Sequence, residues 1–206
     1  ILEHLKPYQG EKFIRVLNLT AEVNCNWKVI HDNFNESYHL PTLHPELEVH
    51  IENSYKYSQF DMYENGHNRM LMPGHLPAKD GQNPDLVNFP LDEALKAWDL
   101  NPNDFQGNAQ NTREAIQSQK KKLAKDRGFW HYEHLTDEQL TDYYHYTCFP
   151  NFTLTMTPDG FQLLRPQPHP TDPEKCHFEH WFMVPKMDRL SASSTFTGSD
   201  STEQTA

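Results

Sequence analysis

A chain of 206 residues is long enough to bury a core of its own and reads as one ordinary domain. A formal net charge of −11 argues against nucleic acid as a partner, because phosphate binding needs clustered Lys and Arg; the one basic run, Lys120-Lys121-Lys122 with Lys125 and Arg127, reads as a solvated helix face. No apolar stretch approaches the ~18 residues of a membrane span, no signal-peptide pattern opens the chain, and three scattered cysteines (Cys25, Cys148, Cys176) form no disulfide framework, which points to a reducing cytoplasm.

In chain order, the loose alternation and β-branched residues from Lys12 to Val23 predict one strand or two short ones. A helix follows from about Trp27 to His39, because Trp27, Ile30, Phe34 and Tyr38 recur at spacings of three and four, the period of one buried stripe. Pro41 is expected to end it, since proline disfavours helical geometry in the residue before it. The stretch from Leu43 to Gln59 is mixed and is expected to close in a strand over 54–59. The turn formers Glu64-Asn65-Gly66 precede a further short strand at Met70 to Met72.

The middle third changes character. Pro77 to Asn88 is a polar loop, and Leu91 to Trp98, Thr112 to Arg127 and Thr136 to Tyr146 read as helices. In the last of these, Asp137 and Glu138 suit the first turn. Together they make a helical insertion over about 77–146, lying against one side of the domain. Strand signals return at Phe152 to Thr157, turn at Pro158-Asp159-Gly160, and continue at Phe161 to Pro166 and Cys176 to Val184. The whole pattern is that of an α+β domain built on an antiparallel sheet. Ile1 is not a methionine and the chain closes on a Ser/Thr-rich run, Ser191 to Ala206, so both ends read as cut and 1–206 is expected to be part of a longer protein.

The 13 histidines and 12% aromatic residues suit a metal site beside a pocket for a flat apolar molecule, and one segment concentrates that chemistry. On the predicted helix Asn33, Glu36 and His39 follow one another at i, i+3 and share a polar face. His44 comes five residues after His39, and the break at Pro41 lets the chain bring the second imidazole back toward the first. Two neutral imidazoles and a carboxylate, with the opposite positions open, make the facial triad of non-haem Fe(II) oxygenases. A bare pair of histidines at this spacing is weak evidence by itself; the broken amphipathic helix and the carboxylate on its polar face strengthen it.

The run Asn26-Trp27-Lys28, Asp32-Asn33-Phe34, Glu36, Tyr38-His39 and His44 resembles the iron-binding helix of the large (alpha) subunits of Rieske-type aromatic-ring-hydroxylating oxygenases, with Glu36 where many members have Asp. Tyr143-Tyr144-His145 through Phe149-Pro150-Asn151 resembles a later strand entry of these subunits, and His180-Trp181-Phe182 another strand. The likeness covers most of the chain and is loosest between Pro77 and Glu133. It implies a helix-grip (START/Bet v1-like) fold, an antiparallel sheet curved around a long helix, carrying a mononuclear Fe(2+) on His39 and His44. It implies a bridging role for Glu36 toward a neighbouring subunit, and it sets Asn33 near an asparagine found beside the iron. It further implies a [2Fe-2S] Rieske cluster in an N-terminal domain, electrons from NAD(P)H through a reductase or ferredoxin, a homotrimer or alpha3beta3 assembly, and dioxygen with an aromatic or other apolar ring as substrates.

The Rieske motif itself needs C-x-H and C-x2-H, and no cysteine here has a histidine two or three positions on, so the cluster domain is expected to precede Ile1. The third iron ligand, a carboxylate, is expected beyond Ala206, because Asp188 looks like part of a turn and Asp200 and Glu203 lack any apolar periodicity to fix them. Tyr146, Phe149 and Phe152 are candidates for the substrate pocket, with core packing as the alternative. His131, His134, His145, His169, His177 and His180 offer a second metal cluster, against which stands the commoner structural histidine. A non-catalytic helix-grip ligand-binding module would need no metal, and a zinc hydrolase would want H-E-x2-H, which is absent.

Overall fold

The alternating stretches pair, in the computed structural model, which describes residues 1–186, into one seven-stranded antiparallel sheet. Its strands are β1 (Phe13–Val23), β2 (Gln59–Met62), β3 (Asn68–Met72), β4 (Tyr143–Cys148), β5 (Phe152–Thr157), β6 (Gly160–Pro168) and β7 (Cys176–Pro185), ordered β1-β7-β6-β5-β4-β3-β2. Five helices accompany them among the described residues: α1 (Leu2–Leu5), α2 (Trp27–Asn33), α3 (Leu40–Leu43), α4 (Leu91–Ala97) and α5 (Thr112–Leu123). The expected α+β architecture is the observed one. No helix among the described residues is long and apolar enough to cross a membrane.

The sheet is two-faced because side chains alternate along a strand. Tyr144 and Tyr146 of β4 and Leu154 and Met156 of β5 enter a core shared with Leu91 and Leu95 of α4 and Ile116 of α5. Their strand neighbours Tyr143, His145, Thr155 and Thr157 face the other way and line a cavity under α2 and α3. The helical layer and the cavity therefore occupy opposite faces of the same strands. A smaller apolar group of Leu40, Ile51, Met70 and Met72 closes the cavity side.

Four local expectations are corrected. The helix over 27–39 is split: Asn26 caps α2 by accepting from Lys28 N (3.1 Å), but α2 ends at Asn33. The segment after it leaves helical geometry because it is stitched elsewhere, Asn35 to Thr147 of β4 and the buried Ser37 hydroxyl to Asn53 O (2.9 Å). Pro41 therefore does not stop a helix; it sits in the first turn of α3, where a missing amide hydrogen costs nothing. The strand expected at 54–59 begins only at Gln59, since the amides of Tyr57 and Ser58 turn back onto Ser54 O. Thr136 to Tyr146 holds one 3-10 turn (Glu138–Leu140) and then β4, so the helical segment runs to about 140 rather than 146. Its aromatic and β-branched tail is strand-prone, and the slot between β3 and β5 supplies ladder partners on both sides.

Lys120 is the fourth correction, because it is not on a solvated face. Four residues after Ile116, it shares that residue's buried stripe and is 0% exposed. Its ammonium donates to Asp159 Oδ2 (2.8 Å) and Leu140 O (2.9 Å), and the Tyr132 hydroxyl donates to the same carboxylate. This fastens α5 to the turn between β5 and β6. Behind the Tyr143 ring Gly74 has no room for a side chain: a Cβ there would lie 2.3 Å from Thr141 O and 2.6 Å from a Tyr143 ring carbon. Gly74→Ala is expected to lower stability by about 2 kcal/mol, the cost of overpacking a close-fitting site. A urea-unfolding midpoint equal to that of the unchanged protein would contradict this.

Candidate metal centre and its cavity

His39 caps the start of α3 and His44 caps its end, so one short helix sets the spacing between the two imidazoles. Their rings meet edge to face with centroids 5.6 Å apart. Glu36 holds His39 twice: its Oε1 lies 2.5 Å from Nδ1 and its Oε2 accepts from the His39 backbone N–H at 3.2 Å. With Nδ1–H given to the carboxylate, Nε2 keeps its lone pair and a fixed direction, the arrangement that metal-binding histidines ordinarily have. His44 is looser; its side chain is 47% exposed and its Nδ1 is 3.6 Å from Glu46 Oε1. The donor set, two imidazoles with one oriented by a carboxylate, fits a divalent transition metal such as iron.

Asn33, Glu36, His39 and His44 all line one cavity of about 330 Å³, so the four polar residues expected to work together are brought together. The three aromatic candidates are not among its lining residues. Tyr146 is fully buried on the helical face, where its hydroxyl meets His4 Nδ1. Phe152 packs against that same core, and Phe149 is 65% exposed between β4 and β5. Instead the wall is made by Met70, Met72, Tyr143, His145, Gln162 and Phe182. His145, one of the histidines with a structural reading in the sequence, lies 2.9 Å by its Nδ1 from Thr155 Oγ1, and burial pulls its pKa down to about 4. His50 also lines the cavity and is likewise pulled down to about 4 by burial. The signal for His145 is the alternation of Tyr143-Tyr144-His145-Tyr146, which becomes informative once that stretch is taken as a strand.

Among the described residues, the one group of three potential ligand atoms lying within 4.8 Å of one another is Glu22, His169 and His177. His169 Nδ1 accepts from the backbone N–H groups of Thr171 (3.3 Å) and Asp172 (3.0 Å), so its proton sits on Nε2 and no lone pair faces the other two. Lys175 also binds Glu22 at 3.2 Å, which leaves this a structural cluster. His131 is structural too, its Nε2 lying 2.7 Å from Pro158 O. No carboxylate completes a three-ligand group with His39 and His44 among the described residues. Asp188, Asp200 and Glu203 lie outside them.

The family model described as "Ring hydroxylating alpha subunit (catalytic domain)" matches residues 11–204. No curated protein matches the chain closely in sequence. Among solved structures, a quaternary ammonium Rieske monooxygenase, described in connection with carnitine oxidation by gut microbiota and inter-subunit electron transfer, is 12% identical with a TM-score of 0.51, over 89% of this chain and 35% of that one. Naphthalene 1,2-dioxygenase with indole in its active site is 14% identical with a TM-score of 0.43, over 91% of this chain and 38% of that one. The chain thus spans little more than a third of these solved chains, and at such identities the first likeness speaks for the fold. Because the family model takes in nearly every residue from Glu11 onward, and the sheet and helices have the fold of its solved relative, the chain belongs to the ring-hydroxylating alpha-subunit family of Rieske oxygenases and carries catalytic-domain sequence.

Proposed function

We propose that this chain forms the iron-binding and substrate-binding part of an oxygenase that uses dioxygen to hydroxylate or dihydroxylate an aromatic or other apolar ring. The observation that carries the reading is the double hold of Glu36 on His39, beside His44, at a largely apolar cavity. His39 and His44 are the protein ligands supplied by this chain, and the third, a carboxylate, comes from beyond Ala206. Bound iron would supply the dioxygen chemistry that closed-shell side chains lack. The chain's own residues orient: Glu36 fixes the His39 tautomer, Asn33 offers an amide beside it, and Leu40, Ile51, Met70 and Met72 exclude water. Electrons come from NAD(P)H by way of a reductase or ferredoxin and a [2Fe-2S] Rieske cluster in an N-terminal domain. In a homotrimer or alpha3beta3 assembly that cluster is a neighbour's, with Glu36 at the junction. The three free cysteines fit a cytoplasmic, reducing setting.

The test uses the full-length protein with its electron donor. Stoichiometric mononuclear iron, and NAD(P)H-dependent oxygen uptake that rises with a ring substrate and yields its hydroxylated product, are expected. Tight binding of apolar rings with no iron would instead identify a non-catalytic ligand-binding module. Glu36→Gln is expected to keep both metal centres and to slow single-turnover product formation by about 10- to 100-fold, the usual weight of a partner that orients a metal-binding histidine. Cluster oxidation and product formation at unchanged rates would show Glu36 to be an ordinary surface carboxylate.

A further inference from the structure

The cavity wall facing α2 and α3 has an order that the lining alone does not convey. His145 pairs directly with Thr155, Thr155 with Gln162, and Gln162 with Phe182, on β4, β5, β6 and β7 in turn. Met70 of β3 pairs with His145 at the other end. Directly opposed residues in an antiparallel sheet stand about 5 Å apart and on one face. The five side chains therefore form a single rung across the cavity floor, apolar at both ends and polar in the middle.

The polar middle is uncharged. Burial keeps His145 neutral near pH 7, and its Nδ1 is engaged with Thr155. Thr157, one rung away, has its hydroxyl committed to Gly160 O at 2.7 Å. The Gln162 amide has no hydrogen-bond partner among the described residues, and it carries both a donor and an acceptor. Around the whole lining there is no Lys or Arg, and the one carboxylate, Glu36, is held by His39. A substrate with a formal charge would lose its water against this floor rung and find no counter-charge on it, which costs far more than one hydrogen bond returns. A purely apolar substrate would strip water from the Gln162 amide and leave it unpaired.

We infer that the cavity selects an uncharged ring substrate bearing one hydroxyl or carbonyl oxygen, and that Gln162 is the specificity-determining residue that receives this oxygen. The inference rests on the proposed function for its reaction but not for its binding step. It makes the floor rung the feature that sets substrate class, with His145 and Thr155 supporting the amide's surroundings.

The experiment is calorimetric binding to the full-length protein at pH 7, using naphthalene, 2-naphthol, 2-naphthoate and 2-naphthyl-trimethylammonium, with iron measured on each sample. 2-Naphthol is expected to bind at least tenfold more tightly than either charged probe. In Gln162→Met its advantage over naphthalene should fall by at least about tenfold, because naphthol loses one good hydrogen bond and naphthalene, which should bind more tightly, no longer leaves an amide unpaired. Gln162→Glu, nearly isosteric, should shift the preference toward the ammonium probe, a gain that a misfolded variant cannot show. Charged probes binding as well as 2-naphthol, no binding by any of the four, or equal losses for naphthol and naphthalene in Gln162→Met would each overturn the assignment. Selective naphthol binding without iron would leave it standing and sink the oxygenase reading, whereas iron with no such selectivity would do the reverse.

Discussion

His44→Ala in the full-length enzyme is expected to lose its mononuclear iron and to fall to background turnover, with the Rieske cluster retained and the fold intact. The contrast with His39→Ala sharpens the expectation. His44 has a side chain 47% exposed and a distant acidic neighbour, so removing it disturbs little. His39 is 13% exposed and is the partner of Glu36, which is itself 21% exposed. Its removal strands a partly buried carboxylate and should add about 1 kcal/mol of lost stability. Both variants should read the same in metal analysis and differ in thermal midpoint. Stoichiometric mononuclear iron in either one would remove that histidine from the ligand set.

Asp159→Ala should destabilise the protein by about 3 kcal/mol, while Lys120→Met should cost about 1 kcal/mol or less. Two members of one ion pair are expected to behave unequally because their surroundings differ. The Lys120 side chain is 0% exposed, among the rings of Trp98 and Tyr132, so losing its carboxylate leaves a charge that water cannot reach. Asp159 is 47% exposed and keeps both solvent and the Tyr132 hydroxyl when Lys120 is gone, and methionine fills the vacated space with apolar atoms. Breaking a buried pair from one side is costly in this way, and replacing the buried charge with a hydrophobe is not. Denaturant unfolding of the two variants in parallel checks the ordering. Equal losses would mean that the turn carrying Asp159 opens enough to hydrate Lys120.

How far the amino-acid sequence alone is legible follows the strength of the local physical signal. β5 and its turn are legible because Phe152 to Thr157 alternates and Pro158-Asp159-Gly160 can do little but turn. The gathering of Asn33, Glu36, His39 and His44 is legible as well, although the helix expected to present them is broken. Asn33 ends α2, Glu36 lies in the non-helical link, and the histidines flank α3. Ser37 and Asn35 decide that break through contacts far along the chain, which no local window contains. The choice of pocket residues fails by one position. Along a strand a one-residue step reverses the face, so Tyr146 enters the helical core while His145 enters the cavity. Lys120 is misplaced for the same kind of reason, since a run of lysines conceals which one falls on the buried stripe.

The opposed faces of the sheet also bear on how such a domain can diversify. On β4, β5 and β6 the cavity-lining Tyr143, His145, Thr155, Thr157 and Gln162 alternate with Tyr144, Tyr146, Leu154, Met156 and Phe161 of the packed helical layer. Exchanging His145, Thr155 or Gln162 therefore changes the cavity surface without emptying the layer that contains Tyr146, Leu154 and Phe161. Selectivity and fold integrity are written on interleaved positions, and each can drift while the other is held. A library confined to His145, Thr155 and Gln162 would vary the cavity floor on an unchanged foundation.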